Sequence, residues 1–163
     1  MLLLVSLIGH AGAIQKCSDF ITTTASISVF SLSTKALALD KRNGKTWMRC
    51  SIGQHWNTKT QQCSGQAKLL SWNGAQKAAQ LLAQQSGSNW RLPTIKELSN
   101  LVESRCETPA IDLNVFPQTP IGHFWTSTPF INQTHYYWLV QFKFGENHMD
   151  KASRLAHVRL VKD

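Results

Sequence analysis

The residues with chemical potential in this 163-residue chain are four cysteines, six histidines and an excess of cations. Cys17, Cys50, Cys63 and Cys106 are even in number, and an oxidising compartment would pair them in one of three ways. None has the C-x₂₋₄-C spacing of a zinc site, so no metal is expected. Cys50 and Cys63 bracket a short polar loop, and pairing them closes a small ring. Cys17 would then join the N-terminal segment to Cys106 in the middle of the chain.

The histidines show no H-E-x-x-H or other close pairing, and Ser127 lacks a G-x-S-x-G elbow. The nine carboxylates are dispersed, and Trp72-Asn73-Gly74 lacks the acid of a calcium-lectin Trp-Asn-Asp motif. Seventeen Lys and Arg against nine Asp and Glu give a net charge of +8, a field that gathers polyanions. Lys143, Lys151 and Arg154 lie just downstream of Tyr136, Tyr137 and Trp138, and Lys41 and Arg42 form a second basic cluster. Cations beside planar rings suit an acidic sugar, so these five are the candidate ligand-binding residues.

The chemistry needs elements to hold it. Leu2 to Ile8 is a short apolar run ahead of Ala11-Gly12-Ala13, the pattern of a signal peptide over residues 1–13. No Lys or Arg precedes the run, which reads as a late start or a fragment. No second long apolar stretch exists, so no membrane span is expected beyond that run. Residues 14–35 read as an extended segment. Asn43-Gly44 centres a hairpin over 36–49. Helical spacing predicts a helix over 75–85, and the T-x-x-E capping box Thr94/Glu97 starts a second that runs to about Cys106. Phe124–Thr128, Tyr136–Phe144 and Ala156–Lys162 read as strands, with Gly145-Glu146-Asn147 as a turn. Two helices between β-rich ends give an α+β class.

Five ordered stretches resemble a known bacterial family, the Lcl C-terminal domain. They are Asn43-Gly44-Lys45-Thr46-Trp47-Met48-Arg49-Cys50, then Gly53-Gln54-His55-Trp56 with Cys63-Ser64-Gly65, then Trp90-Arg91-Leu92-Pro93-Thr94-Ile95-Lys96-Glu97-Leu98. Next come Pro109-Ala110-Ile111-Asp112, Phe116–Pro120 and Phe124–Pro129, and last Val158-Arg159-Leu160-Val161. The resemblance covers 36–163 and leaves 14–35 unmatched. It implies a C-type-lectin-like fold, two helices on a small twisted antiparallel sheet with the terminal strands close together. It also relates the chain to the formylglycine-generating enzymes. Those need a cysteine pair near the C-terminus, and none follows Cys106 here.

These readings give Arg91, Thr94, Glu97 and Arg159 structural roles, an Arg–Glu contact among them. The function expected is an exported, secreted, periplasmic or cell-surface binding or adhesion domain, without catalysis and without a cofactor. Its expected partner is an anionic polysaccharide or, on a second reading, another surface protein, as in pilus assembly. Nucleic acid answers to the same charge but is met less often by an exported protein.

Overall fold

The computed structural model describes residues 14–25 and 27–163. The signal-peptide reading of 1–13 lies outside the described residues. The N-terminal segment is not a free arm. Its strand β1 (Lys16–Cys17) pairs with β7 (Cys106–Glu107), and after a 3-10 turn over Ile27–Val29, β2 (Phe30–Leu32) joins a sheet. That sheet is antiparallel in the order β11-β4-β3-β2, with β3 at Leu37–Asp40, β4 at Thr46–Met48 and β11 at Val161–Lys162. The β3–β4 turn is the Asn43-Gly44 hairpin. Gly44 has φ 73° and donates its N–H to the Asp40 carbonyl at 2.8 Å. The C-terminal strand therefore lies beside the first hairpin, as the resemblance implies.

A second antiparallel sheet runs β10-β9-β8, with β8 at His123–Pro129, β9 at Tyr136–Gln141 and β10 at Glu146–Lys151. β10 replaces the turn expected at 145–147, where only Gly145 (φ 81°) turns. A side chain at Gly145 would collide with Val102, so the tight turn packs directly on the segment after the second helix. The small ring closed by Cys50–Cys63 is itself a hairpin of β5 (His55–Asn57) and β6 (Gln62–Ser64).

Helix α1 (Trp72–Ser86) starts three residues earlier than the apolar spacing predicts. Ser71 caps it by accepting from the Gly74 N–H, and Gly87 ends it in the left-handed region. Helix α2 (Ile95–Ser99) is much shorter than predicted. Leu101 and Val102 do not continue it; they turn so that Val102 bridges Ile111 and Glu103 receives chain from the N-terminal segment. The buried Glu103 carboxylate accepts from the Thr24 and Ala25 N–H groups at 2.9–3.1 Å, a demand that outweighs helix propensity.

Alternation along β8 and β9 divides the core. Phe124 and Val140 face one cluster, with Trp47, Leu98, Phe116 and Phe142. Trp125 and Leu139 face the other, with Ala75, Ala79, Trp90, Leu92 and Leu160. The three-stranded sheet is thus covered on both faces, by α1 on one side and by α2 with the four-stranded sheet on the other. The architecture is α+β, built from several small antiparallel sheets rather than one. Both expected disulfides are present, Cys17–Cys106 and Cys50–Cys63. Among the described residues no helix is long and apolar enough to cross a membrane.

Opening either bridge frees the unfolded chain and so lowers stability. We expect a Cys50→Ser/Cys63→Ser variant to lose about 3 kcal/mol, and the longer loop of Cys17–Cys106 to be worth about 4.5 kcal/mol. Urea unfolding of each double variant against wild type checks this. Equal stability of all three would overturn it.

Candidate binding groove

The structure sorts the sequence candidates into those that hold the fold and those that face water. Arg91 and Glu97 belong to the first group. Two parallel bonds of 2.8 Å join the guanidinium to the carboxylate, and Glu97 also accepts the Thr94 N–H at 2.8 Å. Thr94 Oγ1 in turn accepts the Glu97 N–H at 3.2 Å, completing the capping box. The Arg91 guanidinium, with the Thr94 N–H, outweighs burial and holds the Glu97 carboxyl down to about 2. Arg91 also bridges Val161 through its backbone, so the helix start and the terminal strand do meet. Arg159 is not part of that contact. It is fully buried and donates to the Met48 carbonyl and Thr119 Oγ1, each at 2.8 Å, and to the Arg49 carbonyl.

The five candidate ligand cations do not form one patch. Arg42 is held internally, by Asp40 at 2.7–2.9 Å and the Asn100 carbonyl at 3.2 Å. Lys41 is exposed on the same turn. Lys143 sits in the β9–β10 turn and Lys151 at the far end of β10, about 17 Å apart along a six-residue strand. Arg154 follows Lys151 closely, but its guanidinium is paired with Asp150 and also lies 3.2 Å from His123 Nδ1.

Of the five, Lys151 lines a groove. This recess, of about 650 Å³, lies where the start of α1 meets the 131–135 loop and the turn after β10. Ser71, Asn73, Thr134, His135, Tyr136 and Ser153 are its other polar-bearing walls, and no lining residue is acidic. Backbone bonds fix the walls: the Ala152 N–H donates to the His135 carbonyl at 2.7 Å and the Trp72 N–H to the Ala152 carbonyl at 2.9 Å. Behind them Trp72 stacks on Tyr137 at 3.8 Å, with its indole N–H on the Thr126 carbonyl. Tyr137 is therefore a wall support, whereas Tyr136 faces the recess. The first turn of α1 carries no acidic side chain, so the positive end of its dipole adds to the Lys151 charge. Of the residues that line the groove, Lys151 and Tyr136 are among those singled out in the sequence. Sequence reasoning missed Ser71, Asn73, Thr134 and Ser153, which are scattered along the chain and ordinary in type; Ser71 as a helix cap was the one legible signal.

The fold and this groove define a small disulfide-stapled domain with a polar, cationic recess. The Lcl C-terminal domain family model matches residues 36–162, and the chain belongs to that family. No curated protein matches the chain.

Two outcomes test the structural assignments. Glu97→Ala should cost about 0.5–2 kcal/mol and leave ligand binding intact. Its folded carboxyl titrates near 2 rather than 4.5, so the stability it contributes is full above pH 4.5 and lost as pH falls toward 2. Denaturation of Glu97→Gln across that window should show a flatter acid limb; an unchanged limb would remove Glu97 from the fold's support. Arg159→Lys, which cannot reproduce the forked contacts, should lower stability by about 2–3 kcal/mol. A calorimetric midpoint equal to wild type would refute the structural role of Arg159.

Proposed function

We propose that the chain is an exported, non-enzymatic binding and adhesion domain whose groove takes an acidic unit of an anionic glycan. One observation carries the reading: Lys151 lines a recess without acidic lining, whose other walls include Ser71, Asn73, Thr134, Ser153 and its cross-strand neighbour Tyr136. A sulfate or carboxylate there gains charge-assisted hydrogen bonds from Lys151, and the ring offers a face for the sugar. Arg154, three residues on, widens the field although Asp150 partly offsets it. Lys143, Lys41 and Arg42 line other surfaces and contribute only to the long-range field. The two disulfides fit an exported protein. We also read the architecture as C-type-lectin-like. The adjacent terminal strand and first hairpin, the two helices and the disulfides support that reading.

Heparin-column elution is the test. Lys151→Gln should elute at clearly lower salt than wild type, and Lys143→Gln close to it. Wild type should itself weaken steeply between low and physiological salt. Equal elution of wild type and Lys151→Gln would remove the groove as the site, and flow-through of wild type at low salt would remove the anionic glycan.

A further inference from the structure

A second surface is left over by the groove. It lies where β1 and β7 meet the β9–β10 turn, and it carries Lys143. Ile21 and Phe144 are 49% and 50% exposed there, and Phe20, one residue before Ile21, is fully exposed. Ile21 and Phe144 line a cleft of about 420 Å³ whose walls also hold Lys16, Ser18, Ser104 and Arg105. Arg105 brings an unmet demand: its Nε is buried and has no hydrogen-bond partner. Lys143 stands at the edge, its Nζ 4.9 Å from the centre of the Phe144 ring.

The arrangement joins an apolar rim to a recess in which Lys16 and Arg105 outnumber the one lining carboxylate, Glu107. Water is a poor partner for Ile21 and Phe144, which line one cleft half-exposed, and for Phe20, the fully exposed residue just before Ile21. A bilayer surface offers both halves of the complement, phosphate in the headgroup layer and acyl chain just below it. We propose that this face docks on an anionic phospholipid surface. A lipid phosphate enters the cleft between Arg105 and Lys16, while Phe20, Ile21 and Phe144 sink to the headgroup–acyl boundary. Glu107 lies opposite Lys16 in the β1–β7 register and Asp19 precedes Phe20, so three cations face two carboxylates. Electrostatic attraction is therefore modest, and insertion of the apolar rim carries most of the affinity. This surface is separate from the Lys151 groove and does not depend on what that groove binds.

Vesicle flotation tests it with the chain recovered after export. Vesicles of phosphatidylcholine alone are compared with vesicles that also contain phosphatidylglycerol. Wild type should bind the mixed vesicles about tenfold better than the neutral ones, and Phe20→Ser/Phe144→Ser should reduce that binding about tenfold. The replaced rings are exposed, so near-ultraviolet circular dichroism and heparin elution of the double variant should match wild type. Lys143→Glu should weaken binding to the mixed vesicles and leave neutral ones unaffected. Equal binding to both vesicle types, or no effect of the double variant, overturns the proposal. Loss of binding in millimolar inorganic phosphate also overturns it, because the cleft then recognises free phosphate and not a bilayer.

Discussion

The structure hangs on a buried cation with neutral partners. Arg159 has no exposed surface, and burial pushes its guanidinium down to about 9. An ion in that position needs oxygen atoms in place of its water, and they meet its two terminal nitrogens, while Nε has no partner. Here they come from distant parts of the chain: the carbonyls of Met48 and Arg49, the Thr119 hydroxyl at 2.8 Å and the Ser51 hydroxyl at 3.5 Å. The Phe116 ring lies 4.7 Å away and closes another side of the cage. Each partner must sit where the fork points. The end of β4, the approach to the Cys50–Cys63 hairpin and the 116–119 turn are thus placed by one side chain.

That cage also explains where the sequence misleads. Val158 and Leu160 alternate with His157 and Arg159, which reads as a strand with one wet face. In the structure residues 158 to 161 are all buried, and only Val161–Lys162 is regular strand. Ile52 donates to the Val158 carbonyl and Met48 to the Leu160 carbonyl, so the segment bonds to loops and strand ends in turn. Period-two reasoning fails because the second face meets polar atoms of the protein instead of water. β10 was hidden for the opposite reason. Glu146 to Lys151 is a largely exposed edge strand, polar except for Met149, and charges that protect an edge also erase its pattern. What was legible was local: the Thr94/Glu97 box, the Asn43-Gly44 turn and the Cys50–Cys63 ring each follow from residues a few positions apart. The length of α2 was not, since its end is set by Glu103 serving Thr24 and Ala25 nearly eighty residues away.

The candidate site suffers from the same distinction. Lys143, Lys151 and Arg154 are close in sequence, but a hairpin places its ends far apart and pairs residues across it. Lys151 meets Tyr136 through β9–β10 register, and the groove wall from α1 arrives through backbone bonds of Trp72. Sequence proximity therefore overstates the cluster around Lys143 and conceals the small polar residues gathered around Lys151.

The kinds of cation matter more than their number. Arg42, Arg91, Arg154 and Arg159 are held by carboxylates or carbonyls, and Arg49 donates to the Val115 and Asn114 carbonyls beneath the Trp56 ring. The planar fork suits such fixed, multiple contacts. Lys16, Lys41, Lys143 and Lys151 are exposed. A lysine ammonium is a strongly hydrated point charge on a flexible stem, and it attracts an anion without dictating its geometry. Around the groove the exposed cation is thus a lysine set among hydroxyl-bearing residues and one tyrosine. The arginines are mostly committed to contacts within the fold, Arg49 and Arg159 as buried residues and Arg42 and Arg154 from exposed positions.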